Sequence, residues 1–429
     1  MLVLLNLMTT QRIVILGAGF GGLAAAMALG RRHRKGSLRD AEIVLIDKNA
    51  YHTYTPTLYE AATASKDAAN YMDLKTIVTF PIGEMLKGLP VKFVQDEIVS
   101  IETSREGTLH LLSGYTMRFD YLVIALGSTT NYCDIPGLAE SALALKTFTD
   151  AVKIRDAVWN AAFDTTPERK LQIVVGGGGA TGVELAGELR VWLNHLGVKQ
   201  KVAADVSIIE ANPTVLKDFD DRAVEAVTKR LKKIGVNIMT GAMIASVSNE
   251  KKKVLLRDGQ EIDFDVLVWT GGVRANPILQ GVPMKMRSGR AEVGDGMVCL
   301  PQTPDLSFGQ KIFAIGDMVC VMNDETGKPV PMVARAAIDQ GLIVARNIER
   351  DIRTLPHITY RPGGFPYVIP VGGKYAVAKL GSFIITGFAG WVLKGLIELR
   401  YLSLIMSKTR ALRIWLKGLL LFVKNERLG

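Results

Sequence analysis

The sequence predicts an α/β protein of two Rossmann-like dinucleotide-binding domains, followed by a C-terminal segment of membrane-associating amphipathic helices. Three observations predict it. A glycine-rich turn between a buried strand and a helix occurs twice. Each time, the following strand ends in a carboxylate. The last 39 residues set a basic stripe against an apolar one.

The first module opens with RIVIL (12–16), which reads as a buried parallel strand. Gly17-Ala-Gly19-Phe-Gly-Gly22 follows, then the helix pattern LAAAMALG and a second strand, EIVLID, ending at Asp47. In this context each glycine has a task. Gly17 permits the tight turn, Gly19 lets a pyrophosphate approach the backbone, and Gly22 lets helix and strand pack closely. The helix N-terminus offers unsatisfied N–H groups and a positive dipole end to the phosphates. Asp47 is placed to accept hydrogen bonds from a ribose diol. A turn without ligand is the plainer reading of such a loop alone, and the strands and acid in register speak against it.

The pattern recurs. LQIVV (171–175) is a strand, Gly176-Gly177-Gly178-Gly179-Ala-Thr-Gly182 a turn, and VELAGELRVWL a helix. The fingerprint is Gly177-x-Gly179-x-x-Gly182. The next strand, VSIIE, ends at Glu210, an acid that favours the free 2′-hydroxyl of NADH over the phosphate of NADPH. Two modules in one chain point to a flavin and a nicotinamide dinucleotide. Later segments complete both halves: FDYLVIALGSTT (119–130), IDFDVLVWTGGVRANP (262–277), and KIFAIGDMV (311–319) with Gly316-Asp317 at the strand end. The expected order is 8–148, first part of an FAD-binding domain; 149–284, an inserted NADH-binding domain; 285–380, the second part of the FAD domain; and 381–429, the C-terminal helices.

Composition bounds the reading. A chain of 429 residues is too long for one small core. Its 48% hydrophobic content is that of a globular enzyme. The net charge of +10 invites nucleic acid or an anionic membrane. Eight Lys or Arg against two Glu fall in 391–429, so six of those ten charges belong to the tail. There they interleave with apolar residues, which disfavours nucleic acid. Cys133, Cys299 and Cys320 form neither a CxxC nor a CxxxxC pair, so neither a redox dithiol nor a metal site is signalled. So low and odd a count fits a reducing cytoplasm. The opening MLVLLNL is too short to span a bilayer and lacks the features of a signal peptide. Either translation starts at Met8 or these residues extend the first strand.

HTYTPTLYEAAT (52–63), GGATGVELAGEL (178–189), VWTGGVRANP (268–277) and IFAIGD (312–317) together resemble the type II NADH dehydrogenases. These are single-subunit, non-proton-pumping NADH:quinone oxidoreductases, two-dinucleotide flavoproteins of glutathione-reductase-like fold. The likeness runs from about Arg12 to the C-terminus. It implies a non-covalent FAD that takes hydride from NADH at N5 and passes two electrons to a membrane quinone of a respiratory chain. By the same resemblance, Gly17, Gly19, Gly22, Asp47, Gly127 and Asp317 contact FAD. Gly177, Gly179, Gly182, Glu210 and Gly271 lie along NADH. Cytoplasmic NADH implies a peripheral protein on the cytoplasmic face of the cell membrane.

Three positions stand apart. Glu184, in the TGVE stretch, matches a family glutamate near flavin and nicotinamide and is a candidate proton relay; Thr181-x-x-Glu184 is equally a helix capping box. In VARAAIDQG (333–341), Arg335 and Asp339 replace the two glutamines with which the family borders its quinone tunnel. They are quinone-site candidates, with an intrahelical ion pair as the plain alternative. The helix they sit on, starting after Pro331, is expected to point its positive end at the flavin N1/O2 edge. Lys374, in GGKYAVAKLG, matches a lysine near the quinone, although the stretch before it, FPYVIPVGG, departs from the family; a surface lysine is the alternative.

The tail holds no run of 18 uncharged apolar residues, and the longest, Leu380 to Leu393, stops at Lys394. GFAGWVLKGLIELRYLSLI (387–405) and TRALRIWLKGLLLFVK (409–424) read instead as amphipathic helices. In the second, Arg410, Arg413, Lys417 and Lys424 share one face, and Leu412, Trp415, Leu416, Leu419, Phe422 and Val423 the other. That is the pattern of a helix lying among lipid headgroups, its cations meeting anionic lipid. Packing on the enzyme's own body, or between two copies in a homodimer, is the alternative. Other functions keep a place: a sulfide:quinone oxidoreductase-like enzyme using Cys320 or Cys133, a soluble-acceptor NADH oxidase, or a non-catalytic FAD-binding redox sensor.

Overall fold

The computed structural model describes residues 10–103, 107–166, 168–200, 203–303, 308, 311–324 and 327–424, without the side chains of 197–200 and 422–424. The choice between Met1 and Met8 lies outside the described residues, as do the side chains of Phe422, Val423 and Lys424.

Along the chain run β1 (Gln11–Leu16), α1 (Phe20–Arg34), β2 (Ala41–Asp47), α2 (Leu58–Ala62), α3 (Tyr71–Val78), β3 (Lys92–Gln95) and β4 (Tyr121–Ile124). Then come β5 (Leu143–Ala144), α4 (Phe148–Asp164), β6 (Leu171–Gly176), α5 (Ala180–Gln200), β7 (Ala204–Glu210), α6 (Asp221–Ile234), β8 (Val236–Thr240) and β9 (Val266–Trp269). The chain continues through β10 (Lys311–Ala314), α7 (Ala334–Ile352), β11 (Tyr367–Pro370), β12 (Ala376–Leu380), β13 (Phe383–Gly387), α8 (Phe388–Ile405) and α9 (Lys408–Lys424).

The chain separates into two compact units. One holds residues up to His52, Pro81–Thr129 and Arg274–Phe365; the other holds Thr53–Phe80, Thr130–Val273 and residues from Pro366 onward. In the first unit five parallel strands lie in the order β10-β4-β1-β2-β3. From Ile13 onward β1, and the whole of β4, read as buried apolar runs because both faces of a parallel sheet are covered. Helix α1 lies along α7 at glycine contacts: a Cβ on Gly341 would stand 2.3 Å from the Gly21 carbonyl oxygen. The second unit repeats the plan as β5-β9-β6-β7-β8, again parallel. Its fifth position is taken by a strand that precedes β6 in sequence. In both sheets the order reverses beside the strand that carries the glycine loop, the crevice where doubly wound sheets bind ligands.

These units group the chain differently from the expected order 8–148, 149–284, 285–380 and 381–429. Residues 53–80 and the antiparallel sheet β11-β12-β13 belong with the second sheet. The cause is close packing on α5: a Cβ on Gly187 would stand 2.9 Å from the Gly372 amide nitrogen. Ile369, Val371 and Val377 enter the same apolar core as Leu185, Ala186 and Leu189.

Candidate functional site

The glycine loop after β1 is built as its residues require. Gly17 has φ +94°, and a Cβ there would meet the Ala125 carbonyl oxygen at 2.5 Å. A Cβ on Gly22 would stand 1.9 Å from the Gly17 carbonyl oxygen, so helix and turn touch there. On Gly19 it would meet nothing within 4 Å. That is an open cradle beside the N-terminus of α1, as a pyrophosphate needs. Gly127, at φ +69°, is equally open. Asp47 ends β2; its Oδ2 accepts from the Ala18 amide at 2.7 Å and its Oδ1 from the Asn49 amide at 2.8 Å. Asp317 follows β10 and accepts from the Ser128 hydroxyl at 2.5 Å. The neighbouring Gly316 amide donates to Gln340 Oε1 of α7 at 2.6 Å. These residues fit an FAD at the carboxyl end of the sheet.

The loop after β6 repeats the geometry. Gly177 has φ +104°, and a Cβ there would meet the Gly271 Cα at 2.4 Å, which places Gly271 directly against the loop. A Cβ on Gly182 would stand 1.9 Å from the Gly177 carbonyl oxygen, and one on Gly179 would meet nothing within 4 Å. Glu210 accepts from the Gly178 amide at 2.6 Å and from the Asn212 amide at 2.7 Å. Both strand-end acids, read from the sequence only as ribose acceptors, therefore also clamp the middle residue of their loop.

Glu184 stands on α5, past this loop. It keeps part of its surface accessible but lies deep in the protein. Burial pushes its carboxyl up to about 8; Glu60 and Glu188 add to the rise, and Lys394 opposes it. Glu60, Glu188 and Glu398 are themselves buried. Lys394 Nζ contacts Glu60 Oε1 at 2.7 Å and Glu398 Oε2 at 3.5 Å, and the Tyr59 hydroxyl donates to Glu60 Oε1 at 3.1 Å. Glu60 Oε2 is buried and has no hydrogen-bond partner among the described residues. Burial lowers the Lys394 pKa, but Glu60 and Glu398 outweigh it and hold the ammonium charged.

Sequence reasoning missed this cluster apart from Glu184. The signal was available: Glu184/Glu188 and Lys394/Glu398 are charged pairs four apart in apolar helices, and Glu60 sits in a helix whose every residue is buried. The lysine whose field reaches Glu184 is Lys394 of α8. Lys374, the sequence candidate, lies half-exposed between β11 and β12. Arg335 and Asp339 form the intrahelical pair, Nε to Oδ2 at 2.7 Å, at the start of α7, whose N-cap residue Val333 makes no side-chain cap hydrogen bond.

The sequence model of the pyridine nucleotide-disulphide oxidoreductases matches residues 11–341. A type II NADH:quinone oxidoreductase of Staphylococcus aureus is 31% identical over 350 residues, 79% of this chain and 82% of that protein. The chain belongs to the type II NADH:quinone oxidoreductase family. A second relative of that name, from Mycobacterium tuberculosis, is 28% identical over 428 residues, 94% of this chain and 87% of its own. NDH2 from Plasmodium falciparum, solved with NADH, shares the fold at a TM-score of 0.81 and 17% identity, over 98% of this chain and 99% of that one. A sulfide:quinone oxidoreductase from Aquifex aeolicus shares it at 0.74 and 18%, over 93% and 92%. The fold alone thus does not separate the type II family from its rivals; the sequence relatives do.

Proposed function

We propose that the chain is an FAD-dependent NADH:quinone oxidoreductase working at a membrane surface. The doubled cradle carries the reading: two glycine loops of one geometry, each open where a pyrophosphate would lie and each clamped by a strand-end acid. Bound FAD supplies the two-electron chemistry between NADH and quinone. The protein's part is to bind, orient and hold protons. Glu210 meets the adenosine ribose and disfavours a 2′-phosphate. Asp47 and Asp317 hold the FAD sugar and ribityl hydroxyls. The overall change, NADH + H⁺ + quinone to NAD⁺ + quinol, consumes a proton. Glu184, protonated at neutral pH, stores one, and Lys394 keeps the surrounding carboxylates from pushing it out of range. Arg335 and Asp339 stand where the family's glutamines border the acceptor and set how its headgroup is held.

Helices α8 and α9 dock the enzyme on the lipid surface of the cytoplasmic face. Among the described residues no helix is long and apolar enough to cross a membrane. Instead Phe383, Phe388, Leu396, Leu404, Leu412, Leu416 and Leu420 stand exposed. Two residues of the expected lipid-facing pattern also contact neighbouring helices: Lys417 pairs with Asp73 of α3 at 3.1 Å, and the half-buried Trp415 ring lies beside Gly395 of α8.

The deciding experiment is anaerobic mixing of the FAD-loaded protein with NADH, then NADPH, followed by a short-chain quinone. Rapid flavin bleaching by NADH, little by NADPH, and reoxidation by quinone are expected. Bleaching without reoxidation removes quinone as the acceptor, and reoxidation restored in R335Q/D339Q traces that loss to the ion pair. No bleaching by either nucleotide overturns the reading.

A further inference from the structure

The two glycine loops share almost every backbone contact. Gly17 donates to the Ile46 carbonyl at 2.7 Å and Gly177 to the Ile209 carbonyl at 2.8 Å. Leu23 and Val183 donate to the Gly19 and Gly179 carbonyls, both at 3.0 Å. The middle residue's N–H is clamped by an acid in each, Ala18 by Asp47 and Gly178 by Glu210. The middle residue's carbonyl is where they part. The Gly178 carbonyl accepts from the Leu216 backbone amide at 2.8 Å. The Ala18 carbonyl is contacted instead by a side chain, His52 Nδ1 at 2.9 Å. We propose that His52 is a positioning residue of the FAD site, aiming the Gly19 N–H at the FAD pyrophosphate by holding the Ala18 carbonyl. The proposal rests on the reading that this loop binds FAD.

The reasoning is one of peptide geometry. The bond between Ala18 and Gly19 is planar and trans, so its C=O and N–H point in opposite directions. Fixing the carbonyl on one side fixes the N–H on the other, and Gly19 is the residue whose surroundings are open. A carbonyl oxygen only accepts, so Nδ1 carries the proton. The ring is 2% exposed and stands edge-on to Phe20, with centroids 5.0 Å apart. Burial pulls its pKa down to about 4, against the hydrogen bond to Ala18, so it is a neutral donor at physiological pH. A neutral donor orients the loop without adding charge beneath the phosphates, as the Leu216 amide does in the other loop.

The test removes FAD from the full-length protein and titrates it back, following flavin fluorescence, with ³¹P NMR of the rebound pyrophosphate. His52→Asn keeps a donor near the Nδ1 position; His52→Phe fills the space without one. Expected are an FAD Kd within about threefold of wild type for H52N and at least about tenfold weaker for H52F, with a shifted ³¹P signal. The NADH affinity of the FAD-free protein should stay unchanged, and a fall in its melting temperature reports only the lost buried hydrogen bond to Ala18. If H52F does not fold, His52→Met serves as the donor-free variant. Wild-type affinity in the donor-free variant, or equal loss in H52N and the donor-free variant, overturns the proposal. Failure of the wild-type protein to bind FAD sinks the underlying reading instead.

Discussion

Lys394 Nζ, on the helix next to the C-terminal one, stands 2.7 Å from Glu60 Oε1, on a short helix more than three hundred residues earlier in the chain. Both side chains are largely buried, at 14% and 7% exposure. Breaking such a pair from one side leaves the other charge in the interior, which typically costs about 3–5 kcal/mol. Lys394→Met should therefore lower unfolding stability by roughly that amount. Adding Glu60→Gln should recover more than half, because the stranded carboxylate is then gone. Urea unfolding of the two single variants and the double variant measures the coupling. A K394M protein as stable as wild type would show that the pair holds nothing together.

The loops allow a sharper separation of fold from binding. A Cβ on Gly182 would collide with the Gly177 carbonyl at 1.9 Å, whereas one on Gly179 would enter open space. Gly182→Ala should destabilise the protein by roughly 1–3 kcal/mol or more. Gly179→Ala should leave the melting curve unchanged but weaken NADH binding at least about tenfold, near 1.4 kcal/mol. Calorimetric titration of NADH beside thermal melts decides it. Unimpaired NADH binding by G179A would mean that the pyrophosphate does not lie over this loop.

What was legible in the sequence follows the range of the interactions. The glycine loops, their strands and the acids at Asp47 and Glu210 were readable because each turn is dictated by its neighbours in the chain. The second duty of those acids, clamping Ala18 and Gly178, was hidden, since an acid at a strand end looks the same whether it meets a ribose or an amide. The charge cluster was hidden because residues 60, 184, 188, 394 and 398 come from three helices joined only by folding, and Lys394 read simply as the end of an apolar run. Lys417 looked like a lipid-facing cation because Asp73, its partner, lies outside the local window.

On α9, Leu412, Leu416 and Leu420 recur every four residues and are 46%, 42% and 60% exposed, a row aimed outward. Moving the exposed half of each leucine into lipid is worth about 1 kcal/mol. Replacing all three with serine should abolish cosedimentation with vesicles containing anionic lipid while sparing turnover with a short-chain soluble quinone. Salt should weaken wild-type binding only in part, because the apolar contribution is unscreened. Undiminished vesicle binding by the triple variant would assign this row to something other than lipid.

Glu184 makes stability depend on pH in a definite direction. Its folded carboxyl titrates near 8, raised from the ordinary 4.5 chiefly by burial, then by Glu60 and Glu188 and against Lys394. Between those two values the unfolded chain has released this proton and the folded chain still holds it. The contribution to stability is thus fully present below the unfolded value and is lost as pH rises toward the folded one, with a limiting slope of about 1.4 kcal/mol per pH unit. Glutamine cannot ionise, so Glu184→Gln should match wild type near pH 4.5 and become progressively more stable than it up to about pH 8, where the gap levels off. Chemical unfolding of both proteins at several pH values across that window measures the gap. A gap independent of pH would mean that Glu184 ionises normally and stores no proton for quinone reduction. A gap that widens up to about pH 8, together with an NADH:quinone turnover that falls as pH passes that same value, would tie the stored proton to the reaction.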